Sequence, residues 1–255
     1  MLKHVMTTLL LLTCLVPTAI TPCPALAEQD VVNVACAANF TAPMQELVAL
    51  YSTRNNGEIA CTFGSTGMLF GQITNGAPSD LFFAADTRRP SLLYEQGLAE
   101  APITYARGSV VLWSAEDKYF ELESWKDVLL HPDFSALALA TPETAPYGAA
   151  AEVALVHLPE GSLAGVEVVR GTNVSQTFQF AWSGGVDAAF IAASQSLSRE
   201  ADTGKSWPVP EAGEVVQDCC LLTPDGNADA SARAFLDFVL HDPAARAVLA
   251  KYGYK

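Results

Sequence analysis

Apolar and polar positions alternate along this chain in blocks of two kinds. Short apolar or β-branched runs at 31–37, 58–63 and 80–85 predict buried strands. Between the first two runs, apolar residues such as Met44 and Leu47 recur at helical spacing. An order of strand, helix and strand is typical of a parallel sheet flanked by helices.

The same alternation returns in the second half of the chain and predicts another unit of this type. Two long apolar strands, at 105–113 and 215–223, separate the halves and are interpreted as crossings between them. The remaining predicted strands are 136–140, 166–170 and 186–193, and the remaining predicted helices are 91–96, 125–130, 149–157, 176–183, 232–239 and 243–252.

This order predicts an α/β fold with two lobes, each a mostly parallel sheet flanked by helices, joined by two hinge strands. Lobe I is expected to comprise residues 28–107 and 224–255, and lobe II residues 108–223. The two final helices would return to lobe I.

Residues 1–27 are predicted to be a signal peptide. A basic start precedes an apolar run at 7–16, and Ala25 and Ala27 form the small-x-small pattern of a signal peptidase site. We therefore expect cleavage after Ala27 and export of the mature protein. Lipid attachment at Cys14 is the alternative, but that cysteine lies in the middle of the apolar run.

The charge of the chain excludes two classes of partner. The formal net charge is −14, and without Lys3 13 basic residues remain against 28 acidic ones, a charge of −15. A protein this acidic is not expected to bind nucleic acid or an anionic membrane surface, because such binding requires a surface rich in Lys and Arg. It can still bind a small anion through local N–H and O–H groups.

Four cysteines follow the predicted signal peptide. Cys36 and Cys61 fall in the first two predicted strands, and the sequence leaves open a disulfide between them. The adjacent Cys219 and Cys220 lie in an apolar strand and are predicted to fill space there, with a redox pair as the alternative.

Four predicted loops each follow a strand and open a helix, at 38–40, 64–67, 145–148 and 173–175. In a parallel sheet such loops lie at the carboxyl edge, where ligands of open α/β folds bind. None of the loops carries Lys or Arg, so their amides and hydroxyls suit an oxyanion held by neutral dipoles. The candidate ligand-binding residues are Asn39, Ser65, Thr66, Tyr147 and Val174.

Acid-base and metal chemistry are less well supported. Asp80 and Asp86 are predicted to be turn and cap groups, because carboxylates at an anion site would repel the ligand. His131, His157 and His241 lack the spacing of metal ligands. We therefore expect no cofactor, no bound metal cation and no enzymatic activity.

Several stretches together resemble the periplasmic molybdate-binding proteins of ABC transporters. They cover essentially all of residues 28–255 and are VNVACAANFTAPMQEL, FGSTGMLFGQITNGAPSDLFFAAD, TPETAPYG, GTNVSQ and RAFLDFVLHDPAARAVLAKYGY. The resemblance implies a type II periplasmic binding fold, capture of molybdate or tungstate in the cleft, and delivery to a membrane permease. We expect a monomer whose partners are the oxyanion and that permease.

The resemblance also assigns roles to the candidate residues. The four oxyanion loops of the family fall on Asn39, on Thr66 with Ser65 as a neighbouring candidate, on Tyr147, and on the backbone N–H of Val174. Some members add a tyrosine hydroxyl where this chain has Ala192. The resemblance therefore implies that Asn39 or Tyr147 replaces that donor.

The leading hypothesis is thus an exported binding protein whose lobes close on molybdate or tungstate. The alternative within this class is another tetrahedral oxyanion, such as sulfate or chromate. An exported enzyme that uses Cys219 and Cys220, or the aspartate pair, is the alternative from another class.

Overall fold

The structure is a computed structural model and describes residues 31–55, 57–223 and 226–255. The predicted signal peptide and its cleavage site after Ala27 lie outside the described residues. The strands are β1 Val31–Ala37, β2 Glu58–Gly64, β3 Leu81–Phe83, β4 Ile103–Gly108, β5 Val110–Ser114, β6 Ala136–Ala140, β7 Glu167–Gly171, β8 Ala188–Ala192, β9 Lys205–Pro208 and β10 Val215–Leu221.

Helices cover both sheets, and a short 3₁₀ turn at Ala38–Phe40 leads into the first of them. The helices are α1 Thr41–Ser52, α2 Thr66–Thr74, α3 Arg88–Glu95, α4 Trp125–Leu129, α5 Pro146–Leu155, α6 Val174–Trp182, α7 Ala230–His241 and α8 Pro243–Lys251.

The strands form two five-stranded sheets with matching topology. The first sheet has the order β2-β1-β3-β10-β4 and the second β7-β6-β8-β5-β9. In each sheet the first three strands run parallel, and the last two pair in antiparallel fashion. The predicted α/β fold with two lobes is confirmed, and each sheet, predicted to be mostly parallel, is mixed because one strand, β10 or β5, runs against the other four.

The second crossing between the lobes lies earlier in the chain than the predicted end of lobe II at residue 223. β10 pairs with β3 and β4, so it belongs to the first sheet, and the second crossing lies between β9 and β10. The first crossing passes through Ser109, because the predicted strand 105–113 divides into β4 and β5. A buried apolar strand has the same sequence pattern in either sheet, since its pairing is set by tertiary contacts.

Each lobe has its own aromatic and aliphatic core. In the first, the ring of Phe40 meets those of Tyr105 and Tyr254 edge-on at 4.9 and 5.2 Å between centroids. In the second, Trp113 meets Phe178 edge-on at 5.0 Å. Edge-to-face contacts of this kind fix ring positions, which gives the loops above them a rigid base.

Two of the helices that begin earlier than the sequence predicted carry cavity residues. α5 starts at Pro146, because proline suits the first helical position, and α6 starts at Val174, because Asn173 caps it. Tyr147 and Val174 therefore lie in first helical turns instead of loops. The short strand β9 was not predicted, since its four residues Lys-Ser-Trp-Pro have no strand periodicity.

All four cysteines are free thiols in the described residues, although β1 and β2 are neighbours. The disulfide that the sequence left open between Cys36 and Cys61 is therefore not formed. Cys219 and Cys220 point to opposite faces of β10, each fully buried in a different apolar cluster. Their predicted role as apolar filling is confirmed.

Candidate functional site

The four candidate loops meet at one small cavity between the sheets. The cavity has a volume of about 10 Å³, and Asn39, Thr66, Tyr147 and Val174 line it together with small residues such as Ala85. These four side chains are between 1% and 4% exposed. The space is far too small for an ordinary organic ligand, because drug-sized ligands occupy about 300–1,000 Å³.

Helix starts surround the cavity, since the first turns of α2, α5 and α6 and the turn before α1 all contribute lining residues. The first N–H groups of a helix have no intrahelical acceptor and carry the positive end of its dipole. In α6, the Asn173 carboxamide accepts from the N–H groups of Ser175 and Gln176, both at 3.0 Å. This cap does not engage the N–H of Val174, and Val174 is one of the cavity-lining residues.

Thr66 and Ser65 have different roles in the structure. The Ser65 hydroxyl is the cap of α2, accepting from the Met68 N–H at 3.4 Å, and Ser65 is not among the cavity-lining residues. The Thr66 hydroxyl accepts from the Ala85 N–H at 3.0 Å. Because its oxygen is already an acceptor there, Thr66 can donate its own proton into the cavity.

Asn39 contacts protein groups with both protons of its side-chain amide. Its Nδ2 donates to Gln217 Oε1 at 2.8 Å and to the Tyr254 hydroxyl at 2.9 Å. Its backbone carbonyl accepts from Tyr254 at 3.0 Å and from Ser194 at 2.9 Å. The donor that Asn39 has left for a ligand is its backbone N–H, in the 3₁₀ turn.

Tyr147 brings a phenol from the second lobe to the floor of the cavity. Burial raises the pKa of its hydroxyl well above the ordinary value, and the nearby Tyr254 adds to the shift. The group is therefore protonated at any physiological pH. Its oxygen accepts from Gln217 Nε2 at 3.2 Å, so its proton points away from that nitrogen.

The charged groups nearest the cavity neutralise one another at its rim. Arg89 forms an ion pair with Asp86 and donates from Nη2 to the Glu143 carbonyl of the second lobe at 2.7 Å. Asp86 also accepts from the Arg89 N–H at 2.9 Å, and Asp80 accepts from the Asn33 N–H at 2.7 Å. Asp86 thus has the predicted cap role, whereas Asp80 binds a backbone N–H of the neighbouring strand β1.

Sequence reasoning missed the position of Arg89. The spacing of Asp86 and Arg89, three residues apart at a helix start, was the available signal for their pairing. The contact of Arg89 with Glu143 depends on the closed arrangement of the lobes and has no local signal.

The two lobes touch directly beside the cavity. The Gly67 N–H donates to the Thr144 carbonyl at 2.8 Å, and the Ser175 hydroxyl donates to the Ala38 carbonyl at 3.1 Å. The structure is therefore a closed state in which both lobes surround the cavity.

Metal binding and membrane insertion have no support in the part of the chain that the structure describes. It contains no cluster of three or more His, Cys, Asp or Glu side chains that could hold a metal ion. Nor does any helix within it have the length and apolar character required to span a bilayer.

Comparison with known proteins identifies the family. Residues 32–255 match the family model described as bacterial extracellular solute-binding protein. The chain belongs to this family. The match covers both lobes and all four cavity loops.

Curated relatives of this solute-binding protein carry a specific name. The molybdate-binding protein ModA of Rhodobacter capsulatus is 38% identical over 227 residues, which are 88% of this chain and 87% of that protein. ModA of Azotobacter vinelandii is 36% identical over 232 residues, 89% of this chain and 91% of that protein.

A solved structure supports the same grouping. The periplasmic molybdate-binding protein of Azotobacter vinelandii superposes with a TM-score of 0.79 at 30% identity, over 88% of this chain and 98% of that one. The two-lobed periplasmic binding fold implied by the resemblance is therefore confirmed.

The alternative of an exported enzyme gains no support from the thiols of this solute-binding protein. Burial raises the pKa of Cys219 well above its ordinary value and that of Cys220 to about 12. A reactive cysteine needs a lowered pKa and some exposure. Both cysteines have the opposite properties.

Proposed function

We propose that this protein captures molybdate or tungstate between its two lobes and delivers the ion to the permease of an ABC transporter. The observation that carries the proposal is the cavity: small, buried, enclosed by both lobes and lined by neutral hydrogen-bond donors. The names of the relatives and of the solved structure point to the same ligand.

The proposed donors come equally from the two lobes. Lobe I contributes the Thr66 hydroxyl and the Asn39 backbone N–H, and lobe II the Tyr147 hydroxyl and the Val174 backbone N–H. Each hydrogen bond to a charged oxygen contributes about 1.5–3 kcal/mol. Four such bonds, with helix dipoles behind them, offset the cost of removing water from a dianion.

Neutral donors also favour a fully ionised tetrahedral anion. Hydrogen phosphate carries a proton that needs an acceptor, and the cavity-lining residues include no carboxylate. Because hydroxyl and backbone N–H groups are proton donors here, an anion that accepts at every oxygen fits them best. Molybdate, tungstate and sulfate meet this requirement and hydrogen phosphate does not, and the cavity size must separate the larger ions from sulfate.

We extend the proposal to the cellular location and oligomeric state of the protein. We place it in the periplasm, as a monomer whose signal peptide is cleaved after Ala27. Closure of the lobes on the ion would then create the surface that the permease recognises, since a ligand shifts such an equilibrium only through its contacts with both lobes.

Isothermal titration calorimetry of the protein spanning residues 28–255 tests this function. Molybdate and tungstate should bind with similar affinity, and sulfate and phosphate at least about 100-fold more weakly, a difference of about 2.7 kcal/mol. Tighter binding of sulfate would reassign the ligand, and absence of oxyanion binding would refute the function.

A further inference from the structure

A buried polar cluster lies directly behind the cavity, formed by Gln217, Tyr105, Tyr254 and Ser194. All four residues are at most 7% exposed, and Gln217 is completely buried. A buried amide is costly unless its hydrogen bonds are made, so a fully buried glutamine needs a partner at each end.

Gln217 has partners of opposite kinds at its two ends. Its Oε1 accepts from Asn39 Nδ2 at 2.8 Å and from the Tyr105 hydroxyl at 3.1 Å. Its Nε2 donates to the Tyr147 hydroxyl at 3.2 Å. In this contact the Tyr147 oxygen is the acceptor, and the Tyr147 proton therefore points away from Gln217.

The backbone around this contact fits it closely. β10 has a register irregularity between Gln217 and Asp218, and such irregularities redirect side chains. At Gly108, in the hinge, an added Cβ would lie 2.1 Å from the Tyr147 hydroxyl and 2.9 Å from Gln217 Nε2. Only a residue without a side chain leaves room for the two groups to meet.

We infer that Gln217 is a positioning residue for oxyanion binding: its donated hydrogen bond turns the Tyr147 hydroxyl towards the cavity as a proton donor. The inference rests on the proposed function. An oxyanion only accepts hydrogen bonds, so the direction of this hydroxyl decides whether Tyr147 attracts or repels the ligand.

The inference also links ligand contact to closure. Tyr147 belongs to the second lobe, and Gln217 lies on β10 of the first sheet. The Tyr147 proton is therefore directed to the ligand only when the lobes close, which makes the site complete in the closed state alone.

A double-mutant cycle with Y147F and Q217M tests this, with molybdate affinity as the measurement. We expect Q217M to weaken binding at least about tenfold when Tyr147 is present, and at most about threefold in the Y147F background. Equal losses in both backgrounds would show that Gln217 does not act through Tyr147 and would overturn the inference.

Two further variants complete the design. S114A removes another fully buried hydrogen-bonding group, in the second sheet, and should leave affinity unchanged. Should Q217M fail to fold, G108A replaces it, because its added methyl group displaces the Tyr147 hydroxyl from Gln217. G108A should weaken binding at least about tenfold with Tyr147 and much less in Y147F, which lacks the colliding oxygen; equal losses would again refute the inference.

The wild-type titration separates this inference from the proposed function. If the wild-type protein does not bind molybdate, the function is wrong and the inference is wrong with it. If the wild type binds and the cycle is additive, the function stands and only the role of Gln217 is refuted.

Discussion

The two lobes share one strand order but equip the cavity differently. Lobe I has buried polar side chains under its loops, among them the hydrogen-bonded Asn39 and Gln217. Lobe II contributes Val174 and Tyr147 to the cavity lining, above a sheet whose strands β6 and β8 are apolar. The difference shows that the fold determines where the helix N-termini meet, while a few polar side chains determine which ligand binds there.

The lobes also depend on each other unequally. Tyr147 of lobe II accepts its hydrogen bond from lobe I, whereas the Thr66 hydroxyl is oriented by Ala85 within lobe I. Lobe I can therefore orient the Thr66 hydroxyl before closure, and lobe II needs closure to orient Tyr147. Variants that affect only closure, only lobe I or only lobe II should have separable effects.

The largest effect is expected from a variant that blocks closure. In G67A, the added Cβ would lie 2.8 Å from the Thr144 Cα of the opposite lobe, where the closed state has no space. We expect molybdate affinity to fall by about 3 kcal/mol, the upper range for overpacking, as measured by calorimetry.

G71A is the matched control for this closure variant. It makes the same change in the same helix α2, and its added Cβ would have no neighbour within 4 Å. Both variants replace glycine by a better helix former and should not destabilise lobe I. Equal affinities of G67A and G71A would contradict the closed arrangement described here.

A smaller effect is expected from removing one donor of lobe I. T66V preserves the shape of the side chain and removes the hydroxyl, so molybdate binding should weaken by about 2 kcal/mol without a change of fold. S65A removes the α2 cap and should lower the unfolding free energy by about 1 kcal/mol with little effect on affinity. The reverse pattern would identify Ser65, not Thr66, as the ligand-binding hydroxyl.

A third prediction concerns the stability of lobe II. Asp187 accepts from the Ser135 N–H and hydroxyl, both at 2.8 Å, and from the Ala136 N–H at 2.9 Å, and it pairs with Lys118 at 3.0 Å. Burial alone would raise the pKa of Asp187, but these hydrogen bonds lower it from 3.8 to about 2.

Because the folded pKa is the lower one, this stabilisation is present above pH 4 and is lost as the pH falls towards 2. The loss should amount to about 2 kcal/mol of unfolding free energy, measured by urea denaturation across that range. In D187N, the part of this loss of unfolding free energy that Asp187 causes should be absent. An unchanged acid profile in D187N would disprove the role of this carboxylate.

The smallest effect is expected at the rim. R89Q removes the donor to the Glu143 carbonyl and should weaken molybdate binding by about 1 kcal/mol, mainly through faster dissociation. Stopped-flow measurement of release checks this, with R88Q at the exposed neighbouring position as the control. Identical release rates in R89Q, R88Q and the wild type would exclude a role for Arg89 in holding the lobes together.

Local sequence patterns predicted the scaffold and the convergence of the loops. The spacing of apolar runs indicated the strands, and the Gly-Ser-Thr-Gly turn before α2 indicated a helix start near a ligand. These features depend on neighbouring residues, so a single sequence contains them. The pattern could not decide between Ser65 and Thr66, because both are hydroxyls at the same turn.

Contacts between distant parts of the chain were beyond sequence reasoning. Asn39 was predicted to contribute its side-chain amide, but that amide contacts Gln217 and Tyr254, which are 178 and 215 positions away. The membership of β10 in the first sheet depends in the same way on pairing with a strand that is distant in the sequence. No periodicity or motif encodes such contacts, because they arise only when the lobes have formed.

A crystal structure of the protein with molybdate, located by the anomalous scattering of molybdenum, tests the central claim most directly. The account predicts that the ion lies between the lobes, with its oxygens about 2.7–3.1 Å from the Thr66 and Tyr147 hydroxyls and the Asn39 and Val174 N–H groups. An ion bound outside this cavity, or one held by Lys or Arg side chains, would contradict the claim that neutral donors from two lobes hold the ligand.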